Sequence, residues 1–220
     1  MPAEGTLRDR GAVEFELIET LRWEPADGFV RLERHLGRLY ASARHFGFRA
    51  DPTAIGKALH EAAGDRIPLR VRLTLAADGD AKCVTQPFEP ITPGKTWMVR
   101  IAKTRLDASD PWLSHKTTRR DIYAQARNEY ALHEADEVIL LNGDRQVCEG
   151  TITNVFIDAG DHGPLLTPAL VCGLLPGTLR AAMLDDGKAR EAVLTAEQLR
   201  SADALFVGNS LRGLIPATLA

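Results

Sequence analysis

Six lysines bound the amine chemistry open to this chain: Lys57, Lys82, Lys95, Lys103, Lys116 and Lys188, against 21 arginines. Arginine does not deprotonate in practice, so a covalent amine nucleophile, if there is one, is among those six. Three short segments hold residue types that could act. Ser114-His-Lys116-Thr-Thr sets a lysine just after a loop and just before a helical stretch. Cys148-Glu149-Gly-Thr-Ile-Thr-Asn154 places an acid followed by glycine inside an apolar hairpin strand. His35-Leu-Gly-Arg38-Leu puts a guanidinium on a helix with an apolar stripe. Taken singly, each has a plainer reading: a helix-end charge, an edge-strand acid facing solvent, a solvated arginine.

Other chemistries lack a starting point. There is no GxGxxG, Walker A loop, HExxH or GxSxG. The six histidines are scattered without metal-ligand spacing, so no metal site is expected. Cys83, Cys148 and Cys172 are an odd set with no CxxC, which indicates neither a disulfide framework nor a zinc knuckle. A composition that is 45% hydrophobic and 26% charged is that of a globular chain. The net charge of -3 gives no footprint for nucleic acid or an anionic membrane. No apolar run is long enough for a membrane helix, and Met1 to Arg10 is polar without a signal-peptide core. The expectation is a soluble cytoplasmic protein.

Secondary structure must hold the three segments in place, and its signals run the length of the chain. Alternation from Val13 through Trp23 predicts a half-buried strand. Leu32, Leu36, Leu39, Tyr40, Ala43 and Phe46 predict an amphipathic helix that stops at Gly47. Asp51-Pro52 predicts an N-cap and a second helix to about Ala63. Strands are predicted around Leu69–Leu75 and Trp97–Ile101, which gives a small sheet with helices on one face. The turn residues and Pro111 in segment 104–112 mark a division into units 1–105 and 106–220. Beyond it come a helix from Thr118 to about His133, a strand at Glu137–Leu141, an Asn142-Gly143 turn and a strand from Val147 to Ile157 broken at Gly150. A short strand at Leu165–Pro168, a helix from Pro176-Gly177 to about Leu184, a capping box at Thr195 and a last strand at Ala204–Val207 complete the second unit.

In order and spacing, His-x-x-Arg-Leu, the lysine, Glu-Gly-Thr-x-x-Asn, Thr167-Pro168, Leu175-Pro-Gly-x-x-Arg180 and Gly208-Asn-Ser-Leu-Arg-Gly213 resemble the class IV aminotransferases. These are pyridoxal-phosphate enzymes of fold type IV, among them branched-chain and D-amino acid aminotransferases and 4-amino-4-deoxychorismate lyase. The resemblance runs from about Phe15 to Pro216. It implies a two-domain α+β fold with the cofactor in the cleft between domains, an amino substrate, and a homodimer.

The resemblance also implies roles. Lys116 would bind pyridoxal 5'-phosphate covalently and then serve as the proton-transfer base. Glu149 would hydrogen-bond the pyridine nitrogen. Arg38, the Gly177-Thr178 peptide at a helix start, Asn209 and Ser210 would lie on the phosphate side, with Asn154 part of the cofactor site. Thr20 would face substrate, and Arg120, Arg180 and Arg212 would meet substrate carboxylates. Branched-chain enzymes place a tyrosine five residues after the lysine; here that position is Asp121, and the nearest tyrosine is Tyr123. They also read Gly-Ile-Thr-Arg where this chain has Gly177-Thr-Leu-Arg180, and Gly-Thr where it has Gly208-Asn-Ser-Leu. The Asn-Ser-Leu stretch is closer to the lyase branch. The expected activity is therefore the lyase, with a class IV aminotransferase second and a non-catalytic relative third.

Overall fold

A computed structural model describes residues 15–64 and 66–220. The sequence's first strand is β1 (Leu17–Glu24), and Val13 and Glu14 lie outside the described residues. It pairs antiparallel with the two-residue β2 (Gly28–Phe29) on one side and β3 (Leu69–Leu75) on the other; β4 (Ala81–Pro87) closes the sheet beyond β3. Helices α1 (Leu32–Phe46) and α2 (Pro52–Ala62) cover one face. Asp51 caps α2 by accepting from the Thr53 N–H, and Gly47 ends α1 at φ 70°, a conformation that favours glycine. Strand alternation sorts the two faces. Leu17, Leu21, Val71, Leu73 and Leu75 form the core with the helices, while Ile18, Thr20, Arg70 and Arg72 line a cavity on the other face.

The second sheet has eight strands in the order β10-β9-β8-β11-β12-β5-β6-β7. These are β5 (Trp97–Leu106), β6 (Glu137–Asn142), β7 (Val147–Gly150), β8 (Asn154–Asp158), β9 (Leu165–Pro168), β10 (Ala189–Ala192), β11 (Ala204–Asn209) and β12 (Gly213–Leu219). It curls far enough for its two edges to meet: the Val147 N–H donates to the Leu194 carbonyl, and Gln146 bridges Thr195. The core inside this curl is built from Val99, Ile139, Val155, Val207 and Ile215 with the leucines around them. Helices α3 (Asp121–Arg127) and α4 (Thr178–Asp185) pack on separate clusters, whereas α5 (Ala196–Ser201) adds Leu199 to this core and carries the expected capping box at Thr195.

Three expectations are corrected. β5 pairs with β6 and β12, not with the first sheet, so the change of sheet falls between Pro87 and Trp97 rather than in segment 104–112. Pairing between strands distant in the chain decides this, and local alternation is blind to it. The helix expected from Thr118 to His133 shrinks to Asp121–Arg127. Its start is lost because the Thr118 N–H donates to the Glu16 carbonyl; its end is lost because Glu129 turns to accept from the Lys103 and Thr104 N–H groups. The strand expected from Val147 to Ile157 is two strands, β7 and β8, which pair with different neighbours. Among the described residues no helix is long and apolar enough to cross a membrane.

Candidate active site

A cavity of about 360 Å³ opens between the bare face of the first sheet and one end of the second. Lys116 sits in its wall. Asp110 caps the 3-10 turn Pro111–Ser114 by accepting from the Trp112 N–H at 3.0 Å. The chain then runs extended beside β1: the Ile18 N–H donates to the Lys116 carbonyl at 2.9 Å, and Leu17 bridges Thr117. These bonds fix the lysine's backbone to the sheet that carries Thr20. Burial, then the positive charges of Arg120 and Arg38, push the Lys116 ammonium down to about 7, against the opposing pull of Glu19 and Glu149. A half-neutral amine at physiological pH is what a nucleophile or a proton-transfer base requires.

Glu149 on β7 faces the same cavity and is almost wholly buried. Tyr123 on α3 donates its phenol O–H to Glu149 Oε1 at 2.7 Å. Burial raises the Glu149 carboxyl to about 7, while the Tyr123 hydroxyl, the Leu175 N–H and the charges of Arg120 and Lys116 pull it down. Tyr123 is buried beside this acid, which raises its own hydroxyl well above the usual phenol range. The Tyr123 ring in turn lies under the Arg120 guanidinium, 4.4 Å from ring centre to cation. Glycine is required after Glu149, because a Cβ on Gly150 would lie 2.3 Å from Thr153 Oγ1 and 2.9 Å from the Glu137 carboxylate.

A second cluster forms the opposite end. Glu19, which alternation sets on the same face as Leu17 and Leu21, is 1% exposed and grips two residues of α1. It accepts from Arg38 Nε at 2.8 Å and Arg38 NH2 at 2.6 Å, and from His35 Nδ1 at 2.6 Å. Despite the burial, Arg38 and His35 hold the Glu19 carboxyl down at about 2. His35 Nε2 lies 2.9 Å from Ser210 Oγ and 3.3 Å from Thr178 Oγ1, so the cluster ties α1, β1, α4 and the end of β11 together. Arg38 NH1 also donates to the Pro176 carbonyl at 3.1 Å. Three of its five N–H groups are thereby used and two remain.

These residues fit a phosphate. Helix α4 begins at Gly177 with no side-chain cap, so its first N–H groups and its positive dipole end face the cavity beside Arg38, Thr178 and Ser210. Asn154 seats that turn: its Nδ2 donates to the Leu175 carbonyl at 3.1 Å, and its Oδ1 would be 1.8 Å from any Cβ at position 177. Only glycine lets the turn come so close.

The structure thus brings Lys116, Glu149, Arg38, Asn154, Gly177, Thr178, Asn209, Ser210, Thr20, Arg120 and Arg212 to one cavity. Arg180 is not there. It is 2% exposed and donates to the Pro168 carbonyl at 2.7 Å and to Glu191, three residues round α4 from the turn it shares a motif with. Sequence reasoning also left out cavity-lining arginines: Arg70 and Arg72 on β3, and Arg119, whose guanidinium lies 4.0 Å over the Trp112 ring. The strict Arg-Val-Arg alternation of β3 was the available signal, since it aims both arginines at one face.

The comparisons agree with this geometry. The model of the family "Amino-transferase class IV" matches residues 16–220. A curated protein of Schizosaccharomyces pombe named "Putative aminodeoxychorismate lyase" is 30% identical over 212 residues, 94% of this chain and 90% of its own length. The crystal structure of a "Putative amino-acid aminotransferase" from Mesorhizobium loti is 56% identical, covers 94% of this chain and 100% of its own, and superposes with a TM-score of 0.91. The 4-amino-4-deoxychorismate lyase of Pseudomonas aeruginosa, 24% identical, covers 100% of this chain and 88% of its own with a TM-score of 0.78, and shares the α+β fold of the type IV enzymes. By family match, fold and the lysine–carboxyl–arginine arrangement, this chain belongs to the class IV aminotransferases, enzymes that depend on pyridoxal phosphate.

Proposed function

We propose that this protein is a 4-amino-4-deoxychorismate lyase, which forms 4-aminobenzoate and pyruvate. The observation that carries the reading is the charge of the cavity. Arg70, Arg72, Arg119, Arg120 and Arg212 line it, so the walls suit a substrate with two carboxylates. The absence of a tyrosine at Asp121 and the Asn209-Ser210-Leu211 stretch point to the same branch.

Pyridoxal phosphate, when bound, supplies an electron sink for the charge left when a substrate C–H bond ionises. The chain's own residues do the rest. Lys116 Nζ would provide the amine that anchors the cofactor, and the same amine would take the proton from the substrate carbon that bears nitrogen. Glu149 would share a proton with the ring nitrogen of the bound cofactor, and Tyr123 orients that carboxyl. Arg38 and the α4 N-terminus hold the phosphate, with Glu19 fixing the guanidinium plane. The arginines hold the substrate carboxylates while the enol of pyruvate departs, and the gain of an aromatic ring drives the elimination.

A second reading, a class IV aminotransferase acting on branched-chain or D-amino acids, is favoured by the name and the 56% identity of the Mesorhizobium loti structure. It would use Lys116 and Glu149 in the same way, with Lys116 also handing the proton back rather than only removing it. The deciding experiment offers the purified protein aminodeoxychorismate in one reaction, and branched-chain or D-amino acids with 2-oxoglutarate in another. The lyase yields pyruvate and 4-aminobenzoate in the first and no glutamate in the second; rapid glutamate formation without 4-aminobenzoate transfers the assignment to the aminotransferase. A colourless protein that takes up no added pyridoxal phosphate would leave only a non-catalytic relative. The resemblance also implies a homodimer as the working form, which light scattering measures directly.

A further inference from the structure

Glu137, the first residue of β6, is fully buried, yet among the described residues none of the groups that donate to its carboxylate is a basic side chain. Oε1 accepts from the Val138 N–H at 2.8 Å, the Thr151 N–H at 3.0 Å and the Thr151 hydroxyl. Oε2 accepts from the Ile152 N–H at 3.0 Å and the Thr153 hydroxyl at 2.9 Å. Four of these five donors belong to three consecutive residues of the turn between β7 and β8. A buried carboxylate without a paired cation is expensive to keep, and only so full a set of donors makes it tolerable.

The direction of those donors also sets the far side of the peptide plane. In a trans peptide the C=O and the following N–H point opposite ways. The Ile152 N–H turned inward to Glu137 therefore turns the Thr151 C=O outward, and there it accepts from Arg120 NH2. Arg120 lies over the Tyr123 ring, and Tyr123 holds Glu149. The neighbouring Ile152 carbonyl accepts from Asn209 Nδ2 at 3.2 Å, so the same turn also anchors the end of β11.

We propose that Glu137 is a positioning residue: its buried carboxylate fixes the orientation of the Thr151–Ile152 peptide, and through it the place of Arg120 beside Lys116 and Tyr123. The inference rests on the assignment of Lys116 and Glu149 to the active site, but not on which substrate the enzyme takes. It is independent of the family motif, which includes Glu149 and Asn154 but not Glu137.

The test reads Lys116 in the cofactor-free protein, so it is separable from the choice between lyase and aminotransferase. Arg120 is the neighbouring charge that most lowers the Lys116 ammonium. Amine labelling with trinitrobenzenesulfonate across pH, with peptide mapping, gives the midpoint at which Lys116 becomes reactive. Glu137→Gln keeps the shape but turns one acceptor oxygen into a donor facing at least two N–H or O–H groups. Released from Thr151, Arg120 no longer presses on Lys116, and the midpoint rises by about one pH unit, roughly a fivefold loss of reactive amine at pH 7. In an Arg120→Gln background the same substitution moves the midpoint no further. Leu199→Ala, a cavity in the α5 core, gives the control for stability loss alone and leaves the midpoint in place. If Glu137→Gln does not fold, Thr151→Val, which removes one hydroxyl donor, raises the midpoint in the same direction by about half as much. A folded Glu137→Gln, or failing that Thr151→Val, with the wild-type midpoint overturns the proposal, as does an equal shift in the Leu199→Ala control.

Discussion

Tyr123→Phe removes one hydrogen bond and almost no volume, so its effect can be worked out from the bond alone. The phenol O–H donates to the Glu149 carboxylate at 2.7 Å, from a half-buried ring to a buried acid. A hydrogen bond to a charged group is worth about 1.5–3 kcal/mol, which moves a carboxyl by roughly 1–2 pH units. Glu149, raised by burial to about 7 in the wild-type protein, would then titrate at ~8–9. The sign for stability comes from linkage. Glu149 binds its proton more tightly folded than unfolded, so its stabilising contribution is complete below the ordinary carboxylate range and is lost as pH rises through 7. In the Phe variant that loss continues to ~8–9, so the gap in stability between the two proteins widens above pH 7 by about 1.5–3 kcal/mol. Lys116 titrates over the same range, and taking the difference between variant and wild type removes its contribution to first order. Urea unfolding at half-unit intervals from pH 5 to 9, with the cofactor removed, measures the gap. A gap that stays constant with pH would show that the phenol does not sense the charge on Glu149, and the account of the ring-nitrogen acid would fall with it.

Other substitutions separate the two ends of the cavity. Lys116→Ala abolishes turnover and the adduct that borohydride fixes, with the fold intact by circular dichroism; a pyridoxyl group mapped to Lys103 or another lysine would show the lysine to be misassigned. Glu149→Gln keeps the cofactor bound but lowers the rate by orders of magnitude, because a neutral amide does not favour a protonated ring nitrogen; near wild-type turnover refutes the role. Glu19→Gln leaves Arg38 and His35 without their carboxylate and costs about 3–5 kcal/mol of stability at neutral pH. The wild-type contribution of Glu19 is present above pH 4.5 and lost as pH falls toward about 2, so acid titration of the variant should lack that part of the decline.

How far the site could be read from the chain depended on how local each residue's partners are. Lys116, Glu149 and Arg38 stood in short segments whose order carried the resemblance, and the structure brings all three to one cavity. Glu19 and Glu137 were illegible for one physical reason: the strand patterns put each on a buried face without showing which distant donors would satisfy its carboxyl there. For Glu19 the donors come from α1, sixteen and nineteen residues on. For Glu137 they lie in a turn fourteen to sixteen residues on. Arg180 failed the other way, since its motif is shared but its position on α4 faces Glu191 instead of the cavity. Among the elements, β4 was missed because an edge strand exposed along most of its length has no apolar alternation to show. β12 was hidden by Pro216, which the sheet accommodates because pairing with β5 begins only at Ala217.

Two glutamates of the same cavity region end in opposite states, and the contrast explains the division of labour. Glu19 and Glu149 are equally removed from water, and burial alone would raise both. Glu19 meets a guanidinium edge-on and an imidazole N–H, three direct bonds that more than offset its burial, and it stays an anion near 2. Glu149 receives a neutral phenol and a backbone N–H instead, with no basic group bonded to it among the described residues, and it rises to about 7. A permanent anion is suited to fixing a cation that must not move, and Arg38 is that cation in the proposed phosphate site. An acid poised near neutrality is suited to sharing a proton with a ring nitrogen. The placement of two arginine-bearing elements sets this difference: α1 brings Arg38 into contact with its glutamate, whereas the turn after β7 keeps Arg120 bonded to a carbonyl, one aromatic ring away from Glu149.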